Sequence, residues 1–339
     1  MGSVKDLFIK RPLEGEALGE AYFAFSDRYS VFDWGEMPDK ISGKGASLSM
    51  MAAFNFELME EEDINTHYLG LREDGDVRKL GQLENPSAKM EILLARVPEV
   101  QFINGEYEYE DLRDKKNYVV PLEIIFRNSI PVGSSIRRRY KPGDLGYQYS
   151  SWPEEDLNLE EPLVEFSTKF EEKDRYVEDE EAEEISGLTE SEFEELRNVA
   201  FQVNDLLNRQ SREREYEHLD GKSECMYTDK GILVADVVGT FDENRFSYKG
   251  ISLSKEFLRQ WYKEEDSEWH QQVVEAQEKA SKEGIDDWKG LVDKEPKNLP
   301  SEVLKTAENL YKAGANHWMG ENLFDVPDLD QVVRRIKNE

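Results

Sequence analysis

The side chains best suited to binding anions lie between residues 127 and 139. Arg127 follows a predicted strand, Gly133-Ser134-Ser135 come after it, and Arg137-Arg138-Arg139 are next. Loop amides, small hydroxyls and the planar guanidinium of arginine together form a good site for a phosphate or a carboxylate. A surface run of arginine that balances the acidic chain fits the same residues, and the sequence leaves both interpretations open.

Two further candidates are the Gly43-Lys44-Gly45 turn and Asp236. The turn opens a helical pattern, and the free N–H groups and dipole at the start of a helix attract an anion. Asp236 lies near the end of a predicted buried strand, Ile232–Val238. A carboxylate there can hold Mg²⁺ against phosphates, although a simple capping role also fits.

Several of these stretches resemble the SAICAR synthetase family of purine-biosynthesis ligases. That family shows a DRxSAFD run, an IPxKGxxL run, PxExxxR followed by GSxxxR, and an STK triplet. The matching residues here are Asp27-Arg28-Tyr29-Ser30-Val31-Phe32-Asp33, Ile41, Lys44-Gly45, Leu48, Pro121, Glu123, Arg127, Gly133, Ser134, Arg138 and Ser167-Thr168-Lys169. The resemblance implies a ligase that uses ATP and Mg²⁺ to join L-aspartate to the carboxylate of the ribonucleotide CAIR, giving SAICAR.

The resemblance also implies roles for individual residues. Lys169 and Asp236 are the implied catalytic residues, and Lys5 and Lys169 are placed at the ATP phosphates. Mg²⁺ is assigned to Asp236, Asp242 and Glu243. The implied substrate-binding residues are Arg127, Ser134, Ser135, Arg138, Arg245 and Lys44.

Two family motifs match incompletely. An HDE-type run follows STK in the family, whereas this chain has Lys173–Glu178 without a histidine. The family's DTKFEFG strand is matched through Asp236, with Thr240 in place of its glutamate, and the TPDSSR loop is shortened to 242–246. Two alternatives therefore stay open: a sister ligase with a different amine or acid substrate, and a nucleotide-binding protein without catalysis.

The amino-acid composition limits the classes of partner that the chain can bind. The 339 residues contain 43 Lys plus Arg and 74 Asp plus Glu, for a net charge of −31. Such a surface repels nucleic acid and anionic membranes, and it is typical of a halophile-like enzyme in a salt-accumulating cytoplasm. The single cysteine, Cys225, excludes an intramolecular disulfide, and the four histidines lack the spacing that is typical of a zinc site. No apolar run is long enough for a membrane span, so we expect a cytoplasmic protein whose oligomeric state is open.

The chain length alone leaves open two lobes or one large α/β unit, and the resemblance implies an α+β fold with two lobes and ATP between them. Residues 1–125 are then expected to form the β-rich ATP-binding lobe, and residues 126–339 the larger α/β substrate lobe. Residues 127–186 are predicted to be mostly loop, with an acidic, solvated stretch at 171–184. Helices are predicted from Thr189, which has a capping box with Glu192, as one long segment from Ser254, and from Ser301.

Overall fold

The computed structural model describes residues 4–15, 17–253, 255–285 and 287–338. These residues contain two large antiparallel sheets, a separate two-stranded sheet and eight α-helices. The first sheet has the order β1-β2-β5-β3-β4, and the second has the order β11-β10-β9-β12-β14-β15, with β8 and β13 also paired to β12. This is the predicted α+β architecture.

The strands and helices have the following bounds. The first sheet contains β1 (Lys5–Arg11), β2 (Gly19–Phe25), β3 (Tyr68–Glu73), β4 (Asp76–Arg78) and β5 (Lys89–Leu94). A separate hairpin contains β6 (Val100–Ile103) and β7 (Glu106–Tyr109). The second sheet contains β8 (Tyr118–Val119), β9 (Leu122–Ile130), β10 (Leu157–Thr168), β11 (Tyr176–Val177), β12 (Tyr216–Thr228), β13 (Gly231–Ala235), β14 (Asn244–Tyr248) and β15 (Ile251–Ser252). The helices are α1 (Lys44–Glu61), α2 (Ile136–Arg139), α3 (Asp179–Ser186), α4 (Glu190–Glu213), α5 (Glu256–Glu265), α6 (Ser267–Glu283), α7 (Ser301–Met319) and α8 (Leu329–Asn338).

Helix α4 begins where its capping signal predicted. The side chain of Glu192 accepts hydrogen bonds from the Thr189 backbone N–H (2.9 Å) and hydroxyl (2.7 Å). Phe193, Leu196 and Val203 form its buried face. Local hydrogen bonds and an apolar stripe are both visible in sequence, so this prediction is confirmed.

Residues 127–186 are more regular than predicted. They contain the end of β9, the twelve-residue strand β10 and the helix α3. Helix α3 takes up part of the stretch expected to be an acidic loop. Three of its five acidic residues, Asp179, Glu180 and Glu181, lie in its first turn, where the helix dipole favours negative charge. The many glycines and prolines of 131–153 led to a loop being assigned to the whole segment.

One other predicted element is wrong, and the predicted division of the chain at residue 125 stays a prediction. Residue 125 lies inside β9, and the second sheet already includes β8 before it. The single helix expected from Ser254 is two helices, α5 and α6, separated at Asp266. Ser254 itself lies outside the described residues. The last main helix, α7, starts at Ser301 as predicted.

One large apolar core joins the two sheets to α1, α4 and α7, and it includes Phe56, Phe126, Leu207 and Trp318. Close backbone contacts also link the sheets: the His67 N–H donates to the Val234 carbonyl (3.0 Å), and the Val119 N–H donates to the Arg96 carbonyl (2.8 Å). The sheets are therefore held in a fixed relation where the polar side chains described next converge. No helix in the described ranges is long and apolar enough to cross a membrane.

Candidate active site

One face of the second sheet carries an unusual concentration of charge. Strands β9, β10 and β12 are adjacent, with Arg127 opposite Asp220 and Ser167 opposite Glu123. Because alternate residues of a strand point to the same side, Glu123 and Arg127 share one face, while Ile124 and Phe126 point into the core. The central strands thus build a polar floor above an apolar core.

The first group on this floor, which we call the lysine cluster, joins Lys5, Lys169 and Lys222 to four carboxylates. The ammonium of Lys169 lies 2.5 Å from Glu224 and 3.2 Å from Glu123. Lys222 lies 2.8 Å from Glu123 and 3.4 Å from Glu243.

Lys5 connects the first sheet to this cluster. From β1 its ammonium reaches both carboxylate oxygens of Asp236, each at 2.7 Å. The predicted residues Lys5, Lys169, Asp236 and Glu243 therefore meet in one network, although they are far apart in sequence.

The carboxylates and lysines of this network shift one another's pKa. Burial raises the pKa of Glu224 to about 7, and the nearby Asp236 carboxylate adds to the rise. Burial opposes ionisation of Asp236 too, but Lys5 and Lys169 hold its pKa below the ordinary range. The pKa of Lys169 is raised, because Glu224 and Glu123 outweigh the effect of burial.

Asp236 follows β13 in a strained conformation. Its φ angle is 60°, in the left-handed region that residues other than glycine rarely adopt. The imidazole Nε2 of His67 lies 3.1 Å from the Asp236 carbonyl oxygen, and Lys5 holds the side chain. Strain of this kind, held by surrounding contacts, is typical of functional sites.

The second group, which we call the arginine cluster, contains Arg127, Arg139 and Arg245. Arg127, which is 4% exposed, donates to Glu165 (2.6 Å) and Asp220 (3.1 Å). Arg139 shares Glu165 at 2.6 Å, and the Arg245 Nε donates to Asp220 at 2.7 Å.

Tyr176, on β11, covers the arginine cluster. The Arg127 guanidinium donates to its hydroxyl at 3.0 Å, and the Arg139 guanidinium lies 3.6 Å from the centre of its ring. Of the other predicted anion ligands, Ser135 reaches the Tyr176 hydroxyl at 3.4 Å, and Ser134 is buried nearby at the start of α2. Arg138 is exposed on α2.

The Gly43-Lys44-Gly45 turn is already occupied by a carboxylate of the chain. Asp27 accepts hydrogen bonds from the N–H groups of Gly43 (3.1 Å) and Gly45 (3.0 Å) at the start of α1. The anion attracted by this helix terminus is therefore Asp27, and the expected external anion has no place there.

Lys44 and Asp242 form a buried pair that belongs to neither cluster, although Asp242 directly precedes Glu243 of the lysine cluster. The Lys44 ammonium is fully buried and lies 2.6 Å from Asp242, whose side chain is 2% exposed. Tyr311 also donates to Asp242, at 2.8 Å. The geometry argues against Lys44 as a substrate ligand and against Asp242 as a free metal ligand, because each is bound to the other.

A cavity of about 270 Å³ lies beside the arginine cluster. Lys255 and Arg259, from the start of α5, face Arg245 and Glu243 across it. Sequence reasoning assigned no chemistry to these two cations. The carboxylates of Asp220, Asp242 and Glu243 also line it, so a small anion would bind here through the donor geometry of the three cationic side chains and not through net positive charge.

Comparison with known proteins decides the family. The sequence model of SAICAR synthetase matches residues 1–276. The chain belongs to this family.

Relatives support that assignment over nearly the whole chain. A provisionally named phosphoribosylaminoimidazole-succinocarboxamide synthase of Archaeoglobus fulgidus is 44% identical over 345 residues, which covers 99% of each chain. SAICAR synthase from Saccharomyces cerevisiae, solved with SAICAR, matches with a TM-score of 0.62 at 20% identity, over 95% of this chain and 94% of that one. A SAICAR synthetase solved with ADP matches with a TM-score of 0.55 at 22% identity, over 76% of this chain and 88% of that one.

A second stretch of the chain fits one SAICAR synthetase motif. Asp220, Lys222 and Glu224 alternate along β12 and fit the Asp, Lys and Glu of DTKFEFG more fully than Asp236 and Thr240 do, whose assignment stays a prediction. All three side chains lie in the two clusters. Sequence reasoning missed them, although charged residues at every second position of a strand were the available signal.

The carboxylates of Glu224 and Asp236 fit a magnesium ion. They are close enough to raise the pKa of Glu224, and Mg²⁺ prefers one or two such oxygens together with phosphate oxygens. Within the described ranges, no group of three or more His, Cys, Asp or Glu side chains is arranged to hold a metal by itself. Glu243, which was also predicted to be a ligand, pairs with Lys222.

A small apolar cluster lies apart from the main core, between the two sheets. Ala95, Met226, Leu233 and Ala235 form it. Leu7 and Ile9 alternate with Lys5 on β1, the strand from which Lys5 reaches Asp236, and they are 44% and 61% exposed. Apolar surface beside a charged site is what a flat heterocycle requires.

Proposed function

We infer that the chain is a SAICAR synthase, an ATP-dependent carboxylate–amine ligase of purine biosynthesis. The observation that carries this conclusion is the placement of the lysine and arginine clusters side by side on one sheet face, in a chain that matches the family over most of its length. A reaction that brings together three anionic substrates requires two neighbouring groups of cationic donors.

We place the ATP phosphates at the lysine cluster. Lys5, on β1, and Lys169, after β10, approach Asp236 and Glu224 from opposite sides. When bound, Mg²⁺ would be held by Asp236 and Glu224 and would neutralise phosphate charge. The adenine then lies against the apolar cluster of Ala95 and Leu233.

We place CAIR at the arginine cluster. Arg127 and Arg245 present planar donor groups that match a phosphate or carboxylate, and Ser134 and Ser135 lie beside them. Lys255 and Arg259 add positive charge across the adjoining cavity. Glu165 and Asp220 occupy these donors in the structure, so an arriving anion exchanges with them.

The reaction follows from this arrangement. An oxygen of the CAIR carboxylate attacks the γ-phosphorus of ATP, which forms an acyl phosphate and releases ADP. The α-amine of aspartate then attacks the acyl carbon, phosphate leaves and the nitrogen loses a proton. Lys169 faces the transferring phosphoryl group and stabilises its developing charge, and the two clusters align the reactants.

The identity of the amine is the step to test. The purified protein is supplied with ATP, Mg²⁺ and CAIR together with aspartate or one of a panel of other amino acids, and both ADP release and the ligated product are measured. We expect turnover with aspartate and a product with the mass of SAICAR. Turnover with another amine alone would establish a sister ligase with a different amine. ATP binding without any turnover would leave a ligase of a different acid and the non-catalytic protein, which ADP release with a panel of other carboxylic acids separates.

A cytoplasmic setting with high salt completes the proposal. The single cysteine, Cys225, is free and fully buried, which suits a reducing compartment. The net charge of −31 suits a solvent that screens surface repulsion.

A further inference from the structure

His218 lies on β12 beneath the arginine cluster, on the core side of the sheet. Its ring is 8% exposed and packs between the rings of Phe126 (5.8 Å between centroids) and Phe246 (4.7 Å). The reaction derived above does not use it. An imidazole in such an apolar position either makes hydrogen bonds through its two nitrogen atoms or only fills space in the core. The hydrogen bonds of the ring show which role it has.

Both ring nitrogens of His218 have partners. Nδ1 lies 2.8 Å from Asn208 Oδ1 and 3.2 Å from Asn128 Nδ2, and Nε2 lies 2.9 Å from Asn244 Nδ2. An amide oxygen only accepts and an amide NH₂ only donates, so Nε2 accepts from Asn244 and Nδ1–H donates to Asn208, while Asn128 Nδ2 donates to Asn204 Oδ1. The ring is therefore neutral and has a single tautomer.

On one side this ring is anchored to helix α4. Asn204 and Asn208 both donate to Asn128 Oδ1, at 2.8 and 2.9 Å, and Asn128 Nδ2 donates back to Asn204 Oδ1 at 3.0 Å. The network joins α4 to β9 and β12. A buried network with its partners satisfied is rigid, so α4 provides a fixed reference for His218.

On the other side the ring controls the loop that leads to Arg245. Asn244, held by His218, accepts a hydrogen bond from the Gly239 N–H at 3.1 Å, which closes the 239–244 loop on itself. Gly221 makes this possible, because a Cβ there would lie 1.9 Å from Asn244 Nδ2.

The start of the same loop is held separately. Asn55, on α1, donates to the carbonyl oxygens of Val238 (3.1 Å) and Gly239 (3.0 Å). The Asp236 end of the loop thus depends on α1 and His67, whereas the Arg245 end depends on His218 and Asn244.

We propose that His218 is a positioning residue which, through Asn244, fixes Arg245 and the wall of the anion cavity, and so sets the affinity for the imidazole carboxylate without affecting ATP. The identity of that substrate rests on the proposed function. The hydrogen bonds that carry the inference are independent of it.

The test compares His218→Phe, which keeps an aromatic ring but removes both nitrogens, with His218→Gln, which keeps one donor and one acceptor. Asn244→Leu and the double variant complete a mutant cycle. We expect His218→Phe to raise the KM for CAIR about tenfold to a hundredfold, the range expected when a hydrogen bond from the Arg245 guanidinium to the carboxylate is lost. The KM for ATP should stay within about twofold, and His218→Gln should recover most of the loss.

The cycle has a definite outcome. If His218 acts through Asn244, the double variant binds CAIR, measured by calorimetry, no more weakly than Asn244→Leu alone. Additive losses, an unchanged CAIR affinity in His218→Phe, or equal rises in both KM values overturn the proposal. If His218→Phe does not fold, Asn244→Leu and His218→Gln decide it by the same two KM values. Absence of CAIR turnover in the parent enzyme counts against the proposed function, and direct CAIR binding then still tests His218.

Discussion

The buried Lys44–Asp242 pair gives a prediction that can be worked out from the structure. The two partners are not equivalent. Lys44 forms its ion pair with Asp242. Asp242, in contrast, also accepts a hydrogen bond from Tyr311 (2.8 Å) and lies 3.7 Å from Lys255. Removal of the carboxylate therefore strands the lysine, but removal of the lysine leaves the carboxylate with two partners.

The cost of Asp242→Asn has an upper limit set by proton loss. Loss of one partner of a buried pair costs roughly 3–5 kcal/mol. Burial already lowers the pKa of Lys44 below its ordinary value near 10.5, so in the variant this lysine can escape the penalty by becoming neutral. That escape costs about 1.4 kcal/mol per pH unit below the ordinary value, or about 3.5 kcal/mol at pH 8.

The sign of the pH dependence follows from proton counting. In Asp242→Asn the folded state holds Lys44 neutral, while the unfolded state binds its proton up to about pH 10.4. The unfolded state binds more protons, so stability rises with pH, by up to about 1.4 kcal/mol per unit between pH 8 and 10. Lys44→Met leaves Asp242 ionised and partnered, and we expect a loss of roughly 1–2 kcal/mol that does not fall as pH rises in this range.

Urea unfolding at 25 °C, between pH 7 and 9.5, measures both variants, with comparable m-values required for each comparison. Lys282→Met removes an exposed lysine paired with Glu278 and serves as the control, with an expected change within about 0.5 kcal/mol. If Asp242→Asn costs no more than Lys44→Met, or if its cost does not fall as pH rises, the described asymmetry of the pair is refuted.

Four other outcomes follow from the site. Arg127→Ala should raise the KM for CAIR at least tenfold more than that for ATP, while the exposed Arg113→Ala changes neither, and equal effects on both substrates would contradict the placement of Arg127. Lys169→Met should lower kcat by roughly 10²- to 10³-fold, as the loss of one hydrogen-bond donor to the transition state does. A change confined to KM would show that Lys169 does not contact the transferring phosphoryl group. Burial lowers the pKa of His218 to about 4, so its imidazole ¹⁵N signals should show the neutral Nδ1–H form at pH 6, and protonation there would show that the ring is solvated. Added KCl should raise both the melting temperature and the activity, and indifference to salt would count against the halophile-like interpretation of the charge of −31.

Sequence predicted best the features that depend on neighbouring residues. The Thr189–Glu192 capping box marks the start of α4 within one turn, and its hydrogen bonds are the expected ones. The position of Arg127 after a predicted strand is equally local, and in the structure Arg127 lies within β9. Predictions of this kind hold in the folded structure because the interacting groups are close together in the chain.

The partners of the charged residues could not be predicted in this way. Glu165 is 38 residues from Arg127 and Asp220 is 93 residues away, and the register of the second sheet brings them together. Lys44 shows the same limitation, because its burial depends on Asp242, 198 residues away. A sequence motif identifies the residue type that a site requires, whereas topology determines whether that residue faces substrate or a partner in the core.

The balance of charge in the two clusters explains why binding has to be an exchange. Together they contain, within the described residues, six cations and six carboxylates: Lys5, Lys169, Lys222, Arg127, Arg139 and Arg245 with Asp236, Glu123, Glu224, Glu243, Glu165 and Asp220. With all of them ionised the floor is neutral, so it offers no net attraction to a nucleotide in a protein of net charge −31. An anion is held only where its oxygens replace a carboxylate with equal or better geometry, as a phosphate does against the fork of Arg127, or where a divalent cation arrives with it. Selectivity among anions then comes from shape and donor geometry, since the resting site has no surplus positive charge for other anions to use.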